Sequence, residues 1–352
     1  MAQLGQPTPL ARTHTHTPAR TRVAEGIARQ LGVQDWFLAG YFLLLSLAVF
    51  GFGSGPNHAE CMQWVALDVA VFVVGVLLTR GRVLTPGTLA HGLTYRVSLF
   101  ASFLASYFQL RIILPDVTSK AIDADILSFD LSVFGYEPAV AWDHYVTPHT
   151  VEWFAFFYFS YFFLLASHVL PMVFGDRNAK RLAHFTFGMF IVYAVGHLGY
   201  MVVPGWGPYH HLAGSFEHPI EGGLFWRLVK ATVDGAGAQK DIFPSLHTAA
   251  PTFFAIFSFM HRRSLPFKYT WPVIGFFATQ IIGATMFLRW HWLIDVIAGL
   301  TVATTAAFVS RAVVDWEWKR RARLGLPPVL AALPWPKSSE ISGEADDRPN
   351  SC

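Results

Sequence analysis

Two short stretches in the last third of the chain contain histidine and carboxylate side chains at spacings that suit phosphoryl transfer. Pro-Ser-Leu-His at 244–247 precedes one apolar segment, and His-Trp-Leu-Ile-Asp at 291–295 begins another. On a helix, His291 and Asp295 would share one face, one turn apart. A carboxylate in that position accepts the N–H of one imidazole nitrogen and leaves the other lone pair free to attack phosphorus.

The residues before His247 suggest a binding site for an anion. Pro244-Ser245 is typical of a helix start, where a serine side chain caps the first turn and backbone N–H groups gather. Such groups stabilise negative phosphate oxygens. We therefore predict that His247, His291 and Asp295 surround a phosphate group.

The composition indicates a membrane protein. Of the 352 residues, 53% are hydrophobic and only 14% are charged, whereas soluble domains carry about 25% charged residues. The mean hydropathy is +0.39. The basic residues are spread among loops, so no nucleic-acid partner is predicted. Cys61 and Cys352 support neither a disulfide framework nor a metal cluster.

We predict an all-α polytopic transmembrane bundle of about eight spans, because eight apolar runs approach the ~20 residues that cross hydrocarbon. Residues 36–312 form this transmembrane domain. Residues 1–35 and 313–352 are expected to be disordered cytoplasmic tails, because they are polar or rich in proline, serine and acid. The predicted spans are 36–53, 62–79, 95–114, 151–174, 183–203, 247–260, 272–288 and 291–312.

The lysine and arginine distribution orients these spans. Twenty of the 26 basic residues fall on one face with both termini, which the positive-inside rule assigns to the cytoplasm. His247 follows the fifth span and His291 the seventh, so both are expected on the outer face of a cell or inner membrane, or on the lumenal face in a eukaryote. Two long loops, about 115–150 and 204–246, are expected over that face.

The Pro-Ser-Leu-His and His-Trp-Leu-Ile-Asp stretches resemble the second and third signature motifs of the type 2 phosphatidic acid phosphatase superfamily. Their order and separation, with one span pair between them, also agree. The similarity is greatest to the branch that contains inositol phosphorylceramide synthases and their bacterial relatives, and it covers roughly residues 90–310. Three further stretches resemble that branch: 95–115, 123–138 and 204–209. The resemblance implies a six-helix phosphatase core that needs no metal and no cofactor.

The resemblance also implies roles for the matched positions. His291 would be the nucleophile that forms a phosphohistidine, and Asp295 would orient and polarise it. His247 would protonate the leaving alkoxide and then act as base on the incoming acceptor. Ser245 and nearby backbone N–H groups would hold phosphate oxygens.

The chain departs from the superfamily pattern in its cations. The usual first motif, a lysine followed by Arg-Pro, is absent, and Thr285 replaces an arginine that usually precedes the third-motif histidine. We therefore expect Arg289, Arg111 and Lys240, in that order, to bind the phosphate. For the two arginines, the alternative is an interfacial position with the aliphatic stem in lipid.

Other interpretations of these residues stay open. Tyr209 is a candidate substrate contact, with loop packing as the alternative. For His291 and Asp295, the alternative to a catalytic role is a structural hydrogen-bonded pair between helices. Although His247, His291 and Asp295 would supply three metal ligands, no metal site is predicted, because the neighbouring serine and arginine suit an anion better than a cation.

These observations predict a membrane lipid phosphatase or phosphotransferase whose partners are a lipid phosphate and the bilayer. Water as the acceptor gives a phosphatase, and an alcohol such as inositol gives a phosphotransferase; the sequence leaves this choice open. The alternative is a transporter or proton-relay protein that uses the same His/Asp cluster. A non-catalytic membrane scaffold is a third hypothesis, and it predicts loss of a core residue, whereas all three are present.

Overall fold

The structure is a computed structural model that describes residues 26–118, 120–236 and 240–335. The described chain is helical and contains no strand. Short helical turns at Pro138–Ala141, Asp143–Tyr145, Pro208–His211 and Ala213–Ser215 lie in the loops, and a π-helical turn, Pro171–Gly175, follows α5. The longer helices are α1 (Val33–Phe52), α2 (His58–Arg80), α3 (Leu89–Val117), α4 (Asp123–Phe134), α5 (Pro148–Leu170), α6 (Ala179–Val202), α7 (Leu224–Ala236), α8 (Leu246–Met260), α9 (Phe267–Phe287) and α10 (Leu293–Arg323).

Each predicted apolar span corresponds to one of these helices, so the predicted all-α polytopic bundle is confirmed. Seven of them are long and apolar enough to cross a membrane: α1, α2, α3, α5 with its π-helical turn, α6, α9 and α10. The eighth, α8, has only 15 residues, or roughly 22 Å at 1.5 Å per residue, which is less than the ~30 Å hydrocarbon core. It is apolar, and long helices surround it.

The short helix α8 is the centre of the larger hydrophobic core. Phe253, Phe254 and Phe257 of α8 are fully buried and pack against apolar side chains of α5, α6, α9 and α10. A second core joins α1, α2 and α3 to α6. Since α6 contributes to both cores, it connects the N-terminal three helices to the bundle that surrounds α8.

The segment after residue 312 differs from the predicted disordered tail. The helix α10 continues to Arg323, and Val329 and Leu330 are buried in the core formed with α1, α2 and α3. The Arg96 Nη2 donates a hydrogen bond to the Ala331 carbonyl at 2.5 Å. The prediction was wrong for 313–335, because apolar side chains within this Pro-rich segment are buried against other helices. Residues 1–25 and 336–352 of the two predicted tails lie outside the described residues.

Candidate active site

The structure brings His247 and His291 together at one end of the bundle. His247 is the second residue of α8, and His291 lies in the loop between α9 and α10. Their ring centroids are 6.4 Å apart, and both line a cavity of about 420 Å³. The wall of this cavity also includes Tyr107, Tyr158, Trp206, Tyr209, Trp226, Lys230, Asp241, Arg289 and Trp290.

His291 and Asp295 are close, but not for the predicted reason. His291 precedes α10, whose N-cap is Trp292, so the two residues do not share a helical face. Instead, Asp295 reaches back over the first turn, where its Oδ2 accepts the Trp292 backbone N–H at 2.9 Å and lies 3.4 Å from His291 Nδ1. Neither His291 Nδ1 nor Asp295 Oδ1 has a hydrogen-bond partner among the described residues. Asp295 is therefore placed to form a hydrogen bond with His291 Nδ1 after a small rotation of the ring.

The protonation state of His291 suits a nucleophile. Burial lowers the pKa of His291 to about 4, against the opposing effect of the nearby Ile242 backbone. The imidazole is therefore neutral near pH 7, with one nitrogen lone pair available. A neutral imidazole is the form that attacks an electrophile.

His247 is held by aromatic contacts. Its ring stacks on Tyr158, with centroids 4.4 Å apart and planes 13° apart, and it also contacts Tyr161 at 4.4 Å. Its Nε2 is buried without a hydrogen-bond partner in the described part of the chain. Stacking fixes the ring and leaves this nitrogen available to a ligand.

Ser245 links the starts of α8 and α10. Its side chain caps α8 by accepting the Thr248 backbone N–H at 3.2 Å, and its own N–H donates to the Asp295 carbonyl at 3.1 Å. Gly299 makes this approach possible, because a Cβ there would lie 2.6 Å from the Ser245 carbonyl oxygen. Ser245 is fully buried, so the predicted helix start is present, while its predicted contact with phosphate stays a prediction.

Arg289 lines the cavity but is already partly engaged. It has a left-handed φ of 66°, which is strained for a non-glycine residue. Its Nη2 donates to Asp143 Oδ1 and to the His218 carbonyl, both at 2.6 Å, and its guanidinium lies 3.8 Å over the Phe216 ring. Its Nε has no partner among the residues described. Arg289 can therefore offer one N–H to an anion while Asp143 neutralises part of its charge.

The other predicted substrate contacts differ in position. Tyr209 lines the cavity, its backbone N–H donates to the Arg289 carbonyl at 2.8 Å, and its ring lies 4.8 Å from that of Trp290. The Lys240 Nζ lies 5.6 Å over the ring of Trp206, a cavity residue. Arg111 is exposed and does not line the cavity, although it follows Tyr107 by one turn of α3.

Several cavity residues were missed at the sequence level. Lys230 is a cation on α7, and the amphipathic pattern of residues 224–236 could have identified that helix in the loop. Asp241 also lines the cavity, and burial raises its pKa to about 8. At neutral pH this carboxyl is mostly protonated, so it can donate a hydrogen bond to an anion instead of repelling it.

Asp123 fixes the loops around the two histidines. Its carboxylate accepts the backbone N–H of Trp206 at 2.9 Å and of Gly207 at 2.8 Å, and the Trp292 indole N–H at 3.1 Å. Gly207 has a φ of 88°, and a Cβ there would lie 2.4 Å from the Trp290 carbonyl oxygen. Asp123 thus joins α4, the 205–207 loop and the residue that follows His291.

We expect Asp123→Ala to lower the free energy of unfolding by about 3 kcal/mol, because three donors lose their acceptor and each buried, unsatisfied donor costs about 1–3 kcal/mol. Thermal unfolding of the purified protein in detergent measures this. The control is Asp125→Ala, which removes an exposed acid from the same helix and should change stability by less than about 0.5 kcal/mol. Equal losses in the two variants would show that Asp123 does not hold the loops.

More than half of the chain is similar to one known protein family. A family model described as PAP2_3, PAP2 superfamily, matches residues 125–309, which is more than half of the chain. No curated protein and no solved structure matches the chain. The matched segment contains both histidines, Asp295, Arg289 and Asp143, and it leaves out α1, α2 and α3. No group of three or more His, Cys, Asp or Glu side chains in the described part of the chain is arranged to hold a metal ion.

Proposed function

This chain belongs to the PAP2 superfamily, whose members are phosphatases or phosphoesterases, and from that premise we propose that it acts on a lipid phosphate through a phosphohistidine intermediate. The observation that carries the proposal is the placement of two histidines in one cavity wall, with ring centroids 6.4 Å apart and Asp295 3.4 Å from the second of them. Buried polar atoms of His247, Arg289 and Trp290 without partners among the described residues support a ligand between them.

The first step of the proposed reaction forms a nitrogen–phosphorus bond. His291 Nε2 attacks phosphorus, while Asp295 accepts the Nδ1–H and stabilises the positive charge that develops on the ring. The bond between phosphorus and the leaving oxygen breaks, and the leaving alkoxide takes a proton from His247. The negative phosphate favours the protonated form of His247 once substrate is bound.

The second step regenerates the enzyme. Water or an alcohol gives its proton to His247, and its oxygen attacks phosphorus as the bond to His291 breaks. Water produces free phosphate, and an alcohol produces a new phosphate ester. We extend the proposal to a phosphotransferase because of the resemblance to the inositol phosphorylceramide synthase branch, and the cavity of about 420 Å³ is within the size range of small-molecule sites.

Phosphate oxygens are bound in this proposal by Arg289 Nε, the Trp290 indole N–H and the protonated Asp241, with Lys230 and Lys240 nearby. These donors take the place of the absent first motif and stabilise the charge of the transition state. The basic-residue count favours a site on the outer face and cytoplasmic termini. The proton-relay alternative gains no support, because His247 is at the start of α8 and His291 lies in the loop before α10, at one end of the bundle.

A panel of lipid phosphates tests this proposal. We expect the purified full-length protein, in detergent with a chelator present, to release phosphate from phosphatidic acid or polyprenyl diphosphate, or to exchange the head group of phosphatidylinositol when an alcohol is added. Vanadate at low millimolar concentration should inhibit, because it mimics five-coordinate phosphorus. Failure to turn over any of the three lipids, or turnover only with added divalent metal, would contradict the proposal.

A further inference from the structure

A second, larger cavity lies between α5 and α9. Its volume is about 1360 Å³, more than three times that of the catalytic cavity. It extends from Phe156 on α5 to the π-helical turn Pro171–Gly175 and the start of α6. A π-helical turn often marks a functional site, and this one forms part of the cavity wall.

This crevice opens at the end of the bundle opposite the catalytic histidines. His247 is at the start of α8, and the crevice reaches residues that follow the end of α8, Pro266 and Phe267. The 15 residues of α8 separate the two ends by roughly 22 Å. The crevice and the catalytic cavity are therefore distinct sites that face different leaflets of a bilayer.

The middle of the crevice is apolar and open to the surroundings of the bundle. Phe163 is 67% exposed and Val273 is 57% exposed, and Leu164, Ile274 and Phe277 continue the same wall. An exposed apolar surface of this extent needs an apolar partner. Along transmembrane helices, the hydrocarbon chains of lipids supply it.

The mouth of the crevice is cationic. Arg177 is exposed, and it makes no ion pair within the described ranges. The one acidic residue of the wall, Asp176, is neutralised by Arg181 through two hydrogen bonds of 2.7 Å. Tyr269, which is 68% exposed, marks the interfacial level where tyrosine side chains are enriched.

Two long helices also begin at this mouth. The first residues of α6 and α9 lie beside Arg177 and Tyr269, and the start of a helix carries partial positive charge. The crevice thus combines an apolar wall between α5 and α9 with one positively charged end. Its charge complements a negative head group, and its apolar wall complements acyl chains.

We propose that this crevice binds an anionic glycerophospholipid from the leaflet opposite the catalytic site, with the phosphate at Arg177 and the acyl chains between α5 and α9. The proposal is independent of the catalytic mechanism, because no residue in it belongs to the phosphate cavity. The positive charge at the mouth distinguishes this lipid, by its negative head group, from the general layer of lipid around the bundle.

Photo-crosslinking tests the proposal. The full-length protein is reconstituted in phosphatidylcholine vesicles that contain a trace of photoactivatable phosphatidylglycerol or, in parallel, photoactivatable phosphatidylcholine. Mass spectrometry then quantifies labelling of α5 and α9 peptides. We expect the anionic probe to label the crevice at least about fivefold more than the zwitterionic probe, the ratio that one nearby arginine supplies.

Two charge-reversal variants test whether Arg177 itself attracts the anionic lipid. Arg177→Glu should reduce anionic labelling to the zwitterionic level, whereas Arg82→Glu, an exposed arginine in the loop between α2 and α3, should leave it unchanged. Size-exclusion profiles and unfolding temperatures establish that both variants are folded. Equal labelling by the two probes, equal effects of the two reversals, or the same preference for the anionic probe on helices that do not line the crevice would overturn the proposal.

Discussion

Replacement of His291 by alanine is expected to reduce kcat for lipid-phosphate turnover by at least about 10⁴-fold, because loss of a covalent nucleophile removes the only route through the intermediate. The variant should remain folded, since removal of one buried ring beside a cavity leaves the two hydrophobic cores unchanged. Phosphate release under saturating substrate measures the loss. The matched control is His149→Ala, which removes an exposed histidine of α5 and should retain full activity.

Comparison with His247→Ala separates the two histidines. Loss of a general acid costs about 10²–10⁴-fold. Measured as kcat/KM, which reports formation of the phosphohistidine and not its breakdown, this cost should shrink when the leaving group is a good one, such as a nitrophenol, which departs without a proton. The loss in His291→Ala should be the same for good and poor leaving groups. If His291→Ala retains a tenth of the wild-type activity, or if its defect disappears with a good leaving group, then His291 is not the nucleophile.

The fold was predictable because membrane helices are specified locally. A helix that crosses hydrocarbon needs a long apolar run, and this requirement identified α1, α2, α3, α5, α6, α9 and α10. The same logic failed after residue 312, where burial of Val329 and Leu330 against distant helices decides the structure. Composition describes the solubility of a segment on its own, and it does not show a complementary surface elsewhere in the chain.

The two histidines and Asp295 were predicted from short motifs, but the geometry that joins them depends on residues far away in sequence. Asp143 binds Arg289 across 146 positions, and Asp123 binds the Trp292 indole across 169 positions. No local pattern reports such contacts. The same distance explains why Lys230 and Asp241 were missed, because only the folded loops bring them to the cavity wall.

The error about the helical face of His291 and Asp295 has a local cause. An i, i+4 spacing implies a shared face only if both residues lie inside the helix, and Trp292 is the N-cap. The resulting arrangement leaves His291 on a loop that Asp123 and Asp295 hold from two sides. A loop position suits a nucleophile, because its ring can approach the substrate without the constraint of the helix backbone.

The stereochemical course at phosphorus tests the central claim, a covalent bond between His291 and the phosphoryl group, most directly. A thiophosphate analogue of an active lipid substrate, made chiral with oxygen isotopes, is turned over by the enzyme, and the configuration of the product is determined. Each in-line displacement inverts phosphorus, so two displacements through a phosphohistidine should give net retention. Net inversion would mean that water or the alcohol attacks the substrate directly, and it would contradict the account.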